Sequence, residues 1–451
     1  MQSPAVYIET FGCQMNEYDT QLVRSILKTG GYRFTDSSDT ADIVLLNTCA
    51  IRENAHKKVY GHLGKLKHLK REKGLIIGVL GCMAQNLKKD LLAADSVIDV
   101  LAGPDSYRSL PELLQEAAKG RKQLAVDLSE YETYNDITPH PVSGVTSWIA
   151  VMRGCDNFCT FCVVPYTRGR ERSRQFTDVV REAEALAASG CKQITLLGQN
   201  VNSYRDGEHD FADLLQAVAD VPGIERVRFM SPHPKDFPQK LLEVVCGHPR
   251  IAKHIHLPLQ SGSDRILELM GRSYTRRDYC ALVSRIRALC PEIALTTDII
   301  VGFCSETQAE YQETYDLFEE IEYHLAYIFK YSERKHTIAA RKFKDDVTEE
   351  VKSERVTALI ELQRGVSLKK NRAMIGSTMQ VLIEGDGKRS SQQWLGRTDS
   401  SMVTIFPKRG QAGFPSSENL PVPVSFPLKP GDLASVLITD ATVTTLYGNL
   451  V

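Results

Sequence analysis

The chain has 451 residues, of which 42% are hydrophobic and 25% charged, with a net charge of −1. That length exceeds one ordinary domain, and the composition is that of a globular protein rather than a fibrous or disordered one. The near-zero charge excludes a global field for nucleic acid, so any such surface must be a local patch. No basic-then-apolar leader opens the sequence, and no apolar run approaches the roughly 18 residues of a membrane span, so a cytoplasmic protein with no membrane partner is expected. Eleven cysteines, an odd number, point to metal or redox chemistry rather than to a disulfide scaffold.

Residues 1–128 alternate aliphatic runs with amphipathic stretches. Val6–Phe11, Ile43–Asn47 and Leu75–Leu80 read as buried strands and the segments between them as helices, which predicts a small parallel α/β sheet. Residues 129–146 read as a linker, polar and broken by Pro139 and Pro141. From 147 to 372 a strand–helix rhythm recurs. Its strands are expected at Trp148–Met152, Gln193–Leu197, Arg226–Met230, His254–Leu257, Ala294–Ile300 and Leu325–Phe329, with helices such as Thr177–Ala188 and Gln308–Ile321 between them. Six such units predict a partial (β/α)6 barrel with active residues at the C-terminal strand ends. Glu349–Met374 is a charged helical connector, and residues 373–451 turn to short β-rich runs, such as Met379–Ile383 and Leu433–Ile438, that suggest a small all-β barrel. The fold class is therefore α/β, with a C-terminal β-barrel.

Directly after the first barrel strand comes Cys155-Asp156-Asn157-Phe158-Cys159-Thr160-Phe161-Cys162. Thiolates are the usual protein ligands of a four-iron cubane. Three of them leave one iron open, and an open iron is what binds the amino and carboxylate groups of S-adenosylmethionine before reductive C–S cleavage. A structural zinc site would normally show a fourth Cys or His nearby, and none is close in sequence. Cys155, Cys159 and Cys162 are thus candidate ligands and catalytic residues, and here the chain resembles the radical S-adenosylmethionine superfamily.

Cys13, Cys49 and Cys82 each close one strand of the first domain. The C-terminal ends of parallel strands share one edge, so the three thiols should converge and could hold a second cubane. The alternative is that they are small buried hydrophobes. Cys191, Cys246, Cys280, Cys290 and Cys304 are assigned to packing.

Phe161, Gly198, Gln199, Asn200, Ser261 and Gly302 lie at or just after barrel strands, where a nucleoside cofactor would sit, with Ser261 reaching a ribose hydroxyl and Gly302 admitting an adenine. The competing reading is ordinary turn and cap residues. Arg168, Arg170, Arg172 and Arg174 recur at every second position and in an extended segment would share one phosphate-binding face, unless they form a solvated salt-bridge face. Lys57, Lys58, Lys65, Lys67, Lys70, Arg71 and Lys73 form a basic helical stretch, a second candidate surface for nucleic acid or simply a solvated face.

Taken together, the motifs resemble the methylthiotransferases, and within them the bacterial branch acting on prenylated adenosine in tRNA. The resemblance rests on Thr10-Phe11-Gly12-Cys13-Gln14-Met15-Asn16-Glu17, Asn47-Thr48-Cys49-Ala50-Ile51-Arg52-Glu53-Asn54-Ala55, Gly81-Cys82-Met83-Ala84-Gln85, Cys162 through Arg174, and His256-Leu257-Pro258-Leu259-Gln260-Ser261-Gly262-Ser263. It implies two [4Fe-4S] clusters. One S-adenosylmethionine would methylate a sulfur carried at Cys13, Cys49 and Cys82. A second would be cleaved at the Cys155 cluster to a radical that takes hydrogen from C2 of N6-(dimethylallyl)adenosine at tRNA position 37. It further implies a reductant such as flavodoxin and a monomeric enzyme. The terminal barrel resembles a TRAM-type RNA-binding domain, for which Lys388, Arg389, Trp394, Arg397, Lys408 and Arg409 are candidate contacts. Two departures stand out: Lys335-His336 and Cys304-Ser305 occupy loops where the family commonly has Pro-Gly. The rival readings are a methylthiotransferase for threonylcarbamoyl-adenosine or for a ribosomal-protein aspartate, and a zinc-holding RNA-binding protein without catalysis.

Overall fold

In the computed structural model the three aliphatic runs Ala5–Phe11, Ile43–Thr48 and Ile76–Gly81 lie side by side within a six-stranded parallel sheet. The structure describes residues 3–50, 53–92, 96–139, 144–408 and 428–451. Arg33–Phe34 flanks the sheet on one side, and Val100–Ala102 and Gln123–Ala125 extend it on the other. These strands of two or three residues are too short for a periodicity signal and went unpredicted. Chain order reverses between Ala5–Phe11 and Ile43–Thr48, so the crevice at their C-terminal ends is the switch point where doubly wound sheets bind ligands. One face packs on Gln14–Thr29 and Leu110–Ala117 through Tyr18, Leu22 and Leu110, and the other on Glu53–Lys73 through Val59, Leu63 and Leu66.

The polar segment between domains is not loose. Tyr134 is 1% exposed, accepts Tyr107 N–H at 3.0 Å, donates to Pro104 O at 2.9 Å and lies under the Arg153 guanidinium. Residue Pro141 lies outside the described residues.

Six parallel strands then follow in chain order: Thr146–Ala150, Gln193–Leu197, Arg226–Phe229, His254–His256, Ala294–Val301 and Leu325–Lys330. They form two three-stranded halves joined at the Val227–Ile251 bridge, where Ala252 N–H reaches Val227 O at 2.9 Å. This is the expected partial barrel. Three of its helices begin at capping boxes that the sequence supplies, at Asp210, Thr275 and Thr307. Alternation along each strand sends Ile149, Ile194, Ile255, Leu295 and Ile299 into the helix-side core. The opposite face of the first half, with Trp148, Ala150 and Leu197, packs into the first domain's core. The two domains therefore share one apolar interior.

The Glu349–Ala373 helix covers the last barrel strand and leads into a closed five-stranded barrel of Thr378–Gly387, Ser390–Thr398, Val403–Pro407, Thr445–Leu450 and Leu433–Ala441. Its tip docks on the opening residues of two central-barrel strands. Arg226 donates to Arg397 O at 2.8 Å, Arg228 to Thr398 O at 2.7 Å and Asp399 O at 3.0 Å, and Lys253 N–H to Asp399 Oδ2 at 3.0 Å. The contact lies at the N-terminal end of the central barrel, away from the cysteine-bearing strand ends. Among the described residues no helix is long and apolar enough to cross a membrane.

Candidate active site

Cys13 directly precedes the Gln14–Thr29 helix, Cys49 follows the Ile43–Thr48 strand, and Cys82 opens the Cys82–Leu87 helix. Close backbone approach brings them together. A Cβ on Gly12 would lie 2.7 Å from Cys49 Cβ, and one on Gly81 2.5 Å from Asn47 Oδ1, where φ is +86°. Two asparagines fix the loops: Asn47 Nδ2 donates to Asn16 O at 2.8 Å, and Asn16 Nδ2 to Asn47 Oδ1 at 3.2 Å. Cys13 Sγ donates to Asn16 Oδ1 at 3.3 Å. The neighbouring Cys49 thiol, offset in part by burial and helped by Arg168, draws the Cys13 thiol down to about 6, whereas burial pushes Cys82 up despite Arg168 beside it.

At the barrel, Cys155 N–H bonds Gly169 O at 3.2 Å and Cys162 N–H bonds Cys159 O at 2.9 Å. The loop is pinned by Thr160, whose N–H reaches Met270 O at 2.8 Å and whose carbonyl accepts Ala339 N–H at 2.7 Å. Arg272 Nη1 donates to Cys159 Sγ at 3.3 Å. Burial pushes Cys155 up to about 11 and, reinforced by Cys159, Cys162 up to about 12. None of the six cysteines is in a disulfide.

Cys13 lies beside Cys49 and within electrostatic reach of Cys82, and Cys162 within reach of Cys159 and Cys155. A cubane takes its thiolates at separate corners, and a set of three such thiols suits it. Arg168 adds to the fit at the first triad. Its guanidinium lies by Cys13 and Cys82. Such a cation suits an anionic cluster.

The arginine run is not a phosphate-binding face. Val164–Arg168 is helical and only Arg172–Ser173 is extended, so the four side chains diverge. Arg168, Arg172 and Arg174 are buried on Asp19 at 2.8 Å, Asp105 at 3.0 Å and Glu182 at 2.6 Å. Arg170 alone is exposed, paired with Asp156 at 2.7 Å. Two of the expected cofactor contacts are closed off. Ser261 is 0% exposed against Thr314 Oγ1, and the space over Gly302 is filled by the stem of Lys352, leaving no room there for an adenine. Gly198 is backed by Met152, and Asn200 Nδ2 is bound to Asp236 at 3.0 Å. Yet Asn200 Oδ1, Gln199 Oε1 and Glu171 Oε1 are buried without partners. Glu171, which sequence reasoning missed, is pushed up to about 7 by burial, with Asp156 and Asp236 adding to it.

Lys58, Lys65, Lys67, Arg71 and Lys73 are exposed and Lys70 is bound to Asp99, while Arg409 and the side chain of Lys57 lie outside the described residues. In the terminal barrel Lys388 and Arg389 are exposed, and Arg397 pairs with Glu384 at 3.2 Å. Trp394 is buried beneath Lys408, which removes it as a stacking platform for bases.

Residues 5–103 match the uncharacterized protein family UPF0004, residues 149–318 the radical SAM superfamily and residues 372–451 the TRAM domain. The tRNA-2-methylthio-N(6)-dimethylallyladenosine synthase of Chloroherpeton thalassium is 45% identical across 99% of this chain and 96% of its own length. The chain belongs to the tRNA-2-methylthio-N(6)-dimethylallyladenosine synthase family. The synthase so named from Porphyromonas gingivalis is likewise 45% identical, over 100% of this chain and 96% of its own. Solved structures share the fold at low identity. The radical S-adenosylmethionine methyltransferase TsrM of Kitasatospora setae, with cobalamin and a [4Fe-4S] cluster, superposes at TM-score 0.58 and 15% identity over 75% of this chain and 74% of its own. The cobalamin-dependent radical enzyme OxsB does so at 0.53 and 15%, over 78% and 56%.

Proposed function

We propose that this chain methylthiolates C2 of N6-(dimethylallyl)adenosine next to the anticodon of tRNA, using two molecules of S-adenosylmethionine. The observation that carries the reading is the occurrence, in one member of the synthase family, of two separate sets of three cysteines, none in a disulfide, at strand ends. Cys155, Cys159 and Cys162 would hold one four-iron cluster and Cys13, Cys49 and Cys82 the other. When bound, these groups and S-adenosylmethionine supply the electron, the hydrogen abstraction at C2 and the sulfur that is delivered.

The chain's own residues bind, orient and exclude water. Arg272 orients Cys159, and Arg168 sets a cation beside Cys13 and Cys82. Asp19 receives both Arg153 at 2.6 Å and Arg168 at 2.8 Å, which fixes the first domain against the strand and loop bearing the second triad. Phe161, Gly198, Gln199 and Asn200 would face the cofactor, the unpaired oxygens of Gln199 and Asn200 accepting its N–H and O–H groups.

Exposed Lys388, Arg389 and Arg170, with Arg397 at the rim, are the proposed phosphate contacts. The proposed units are 1–128, 129–146, 147–372 and 373–451, acting as a cytoplasmic monomer with a flavodoxin-like reductant. Anaerobic incubation of the reconstituted chain with prenylated and unprenylated anticodon stem-loops, followed by nucleoside mass spectrometry, tests the reading. Methylthiolated product from the prenylated RNA is expected, and its absence would refute it.

A further inference from the structure

The last barrel strand turns Ala326 and Ile328 toward the helix-side core and Leu325, Tyr327 and Phe329 toward the lumen. Those three are 39%, 48% and 50% exposed. Leaving such side chains in water forgoes about 25 cal/mol for each Å² that burial would remove, so folding alone gives no reason for them. Elsewhere the lumen is covered or polar. Trp148 and Ala150 lie under the first domain, and Arg226 and Arg228 are committed to the terminal barrel. The wall is also continuous with the cysteine site: Phe329 pairs in register with Ile300, and Ile300 packs in the same apolar cluster as Phe161, the residue before Cys162.

Two polar groups, Asp298 and His256, face this wall. Asp298 pairs in register with Tyr327, and its carboxylate is 30% exposed while Oδ2 contacts His256 Nε2 at 3.2 Å. His256 packs edge-on to Tyr327 at 6.0 Å. We propose that Tyr327 and Phe329 seat the dimethylallyl-adenine of the tRNA, and that Asp298 accepts its single remaining N6–H. This inference rests on the function proposed above and names the specificity element of that site. An N6-prenyl adenine offers one N–H donor, a flat base and a branched apolar chain, which matches an aromatic wall with one acceptor. A threonylcarbamoyl group would bring a carboxylate to face Asp298, and the nearest cation on the strand, Lys330, is held by Glu349 at 3.0 Å. The wall thus selects against the anionic modification as well as for the prenyl group.

The test is binding of the full, cluster-reconstituted chain to anticodon stem-loops carrying dimethylallyl-, threonylcarbamoyl- or unmodified adenosine, read by fluorescence anisotropy. Wild type should prefer the prenylated RNA. Tyr327→Ala and Phe329→Ala should each cut that preference about tenfold, the scale of removing apolar contact from a pocket, with a smaller loss of affinity for unmodified RNA, which brings the base without the prenyl chain. Tyr327→Phe should retain it. Tyr327→Lys should shift preference toward the threonylcarbamoyl RNA, a gain that misfolding cannot mimic. An intact preference in both alanine variants, or equal loss for all three RNAs, would overturn the inference. Failure of the wild type to methylthiolate the prenylated stem-loop would instead overturn the underlying function.

Discussion

Arg168 donates from Nη2 to Asp19 Oδ2 at 2.8 Å, and neither side chain is more than 4% exposed. Asp19 lies in the helix that starts after Cys13 and Arg168 ends the short helix after Cys162, so one buried pair links the surroundings of both triads. Arg153 Nη2 joins the same carboxylate at 2.6 Å. Asp19→Ala should leave two guanidinium groups uncompensated and destabilise the chain by about 3–5 kcal/mol, the cost of breaking a buried pair from one side. Urea unfolding measures this, and a loss under about 1 kcal/mol would show that the pair is not the hinge of the domain junction.

Ser305 and His336 adopt left-handed backbone, with φ of +62° and +71°. They are the second residues of Cys304-Ser305 and Lys335-His336, the two departures noted in the sequence. A side chain there costs about 1–2 kcal/mol, part of which glycine returns through a freer unfolded chain. Ser305→Gly and His336→Gly should therefore each raise stability, by about 0.5–1 kcal/mol. A lowered melting temperature in both would contradict this.

Both departures were visible in the sequence, and so were the three central strands, the six barrel strands and both cysteine sets. Each rests on local pattern: aliphatic runs, or a cysteine at the end of one. What failed depended on partners far along the chain. Arg168, Arg172 and Arg174 alternate as a surface strand would, but Asp19, Asp105 and Glu182 bury them. Ser261 and Gly302 were placed by strand position alone, which shows nothing of Thr314 or Lys352. Tyr134 sits in a polar, proline-broken stretch whose composition hides its role at the domain junction.

Acid should destabilise the fold through three histidines. Burial, with Arg272 and Lys235, holds His233 down to about 2, burial with Lys370 and Arg287 holds His324 down to about 4, and burial with Arg228 keeps His254 well below its usual range. In the unfolded chain each binds a proton near pH 6.5. As pH falls from about 6.5 toward 4, the unfolded state takes up protons that the fold does not, so stability falls by up to about 1.4 kcal/mol per pH unit for each histidine. Above that window these groups contribute no slope. Urea midpoints at neutral and acid pH check the sign, and His254→Gln should flatten the dependence. An unchanged profile in that variant would count against the assignment.

The terminal barrel is held by Arg226, Arg228 and Lys253 at residues 397–399. Arg228→Ala removes donors to two carbonyls, a change worth about 1–3 kcal/mol for a buried group left unsatisfied. Hydrogen exchange should then rise across 396–402 with little change in the first domain. Equal protection in variant and wild type would mean that the tip docks without this arginine.

The central claim is that six thiols form two independent four-iron sites. Iron and acid-labile sulfide per chain, after anaerobic reconstitution, test it most directly. Wild type should hold about eight irons, as two cubanes require. The Cys13→Ala, Cys49→Ala, Cys82→Ala variant and the Cys155→Ala, Cys159→Ala, Cys162→Ala variant should each hold about four. About four irons in the wild type, or loss of all iron from either folded triple variant, would contradict the account.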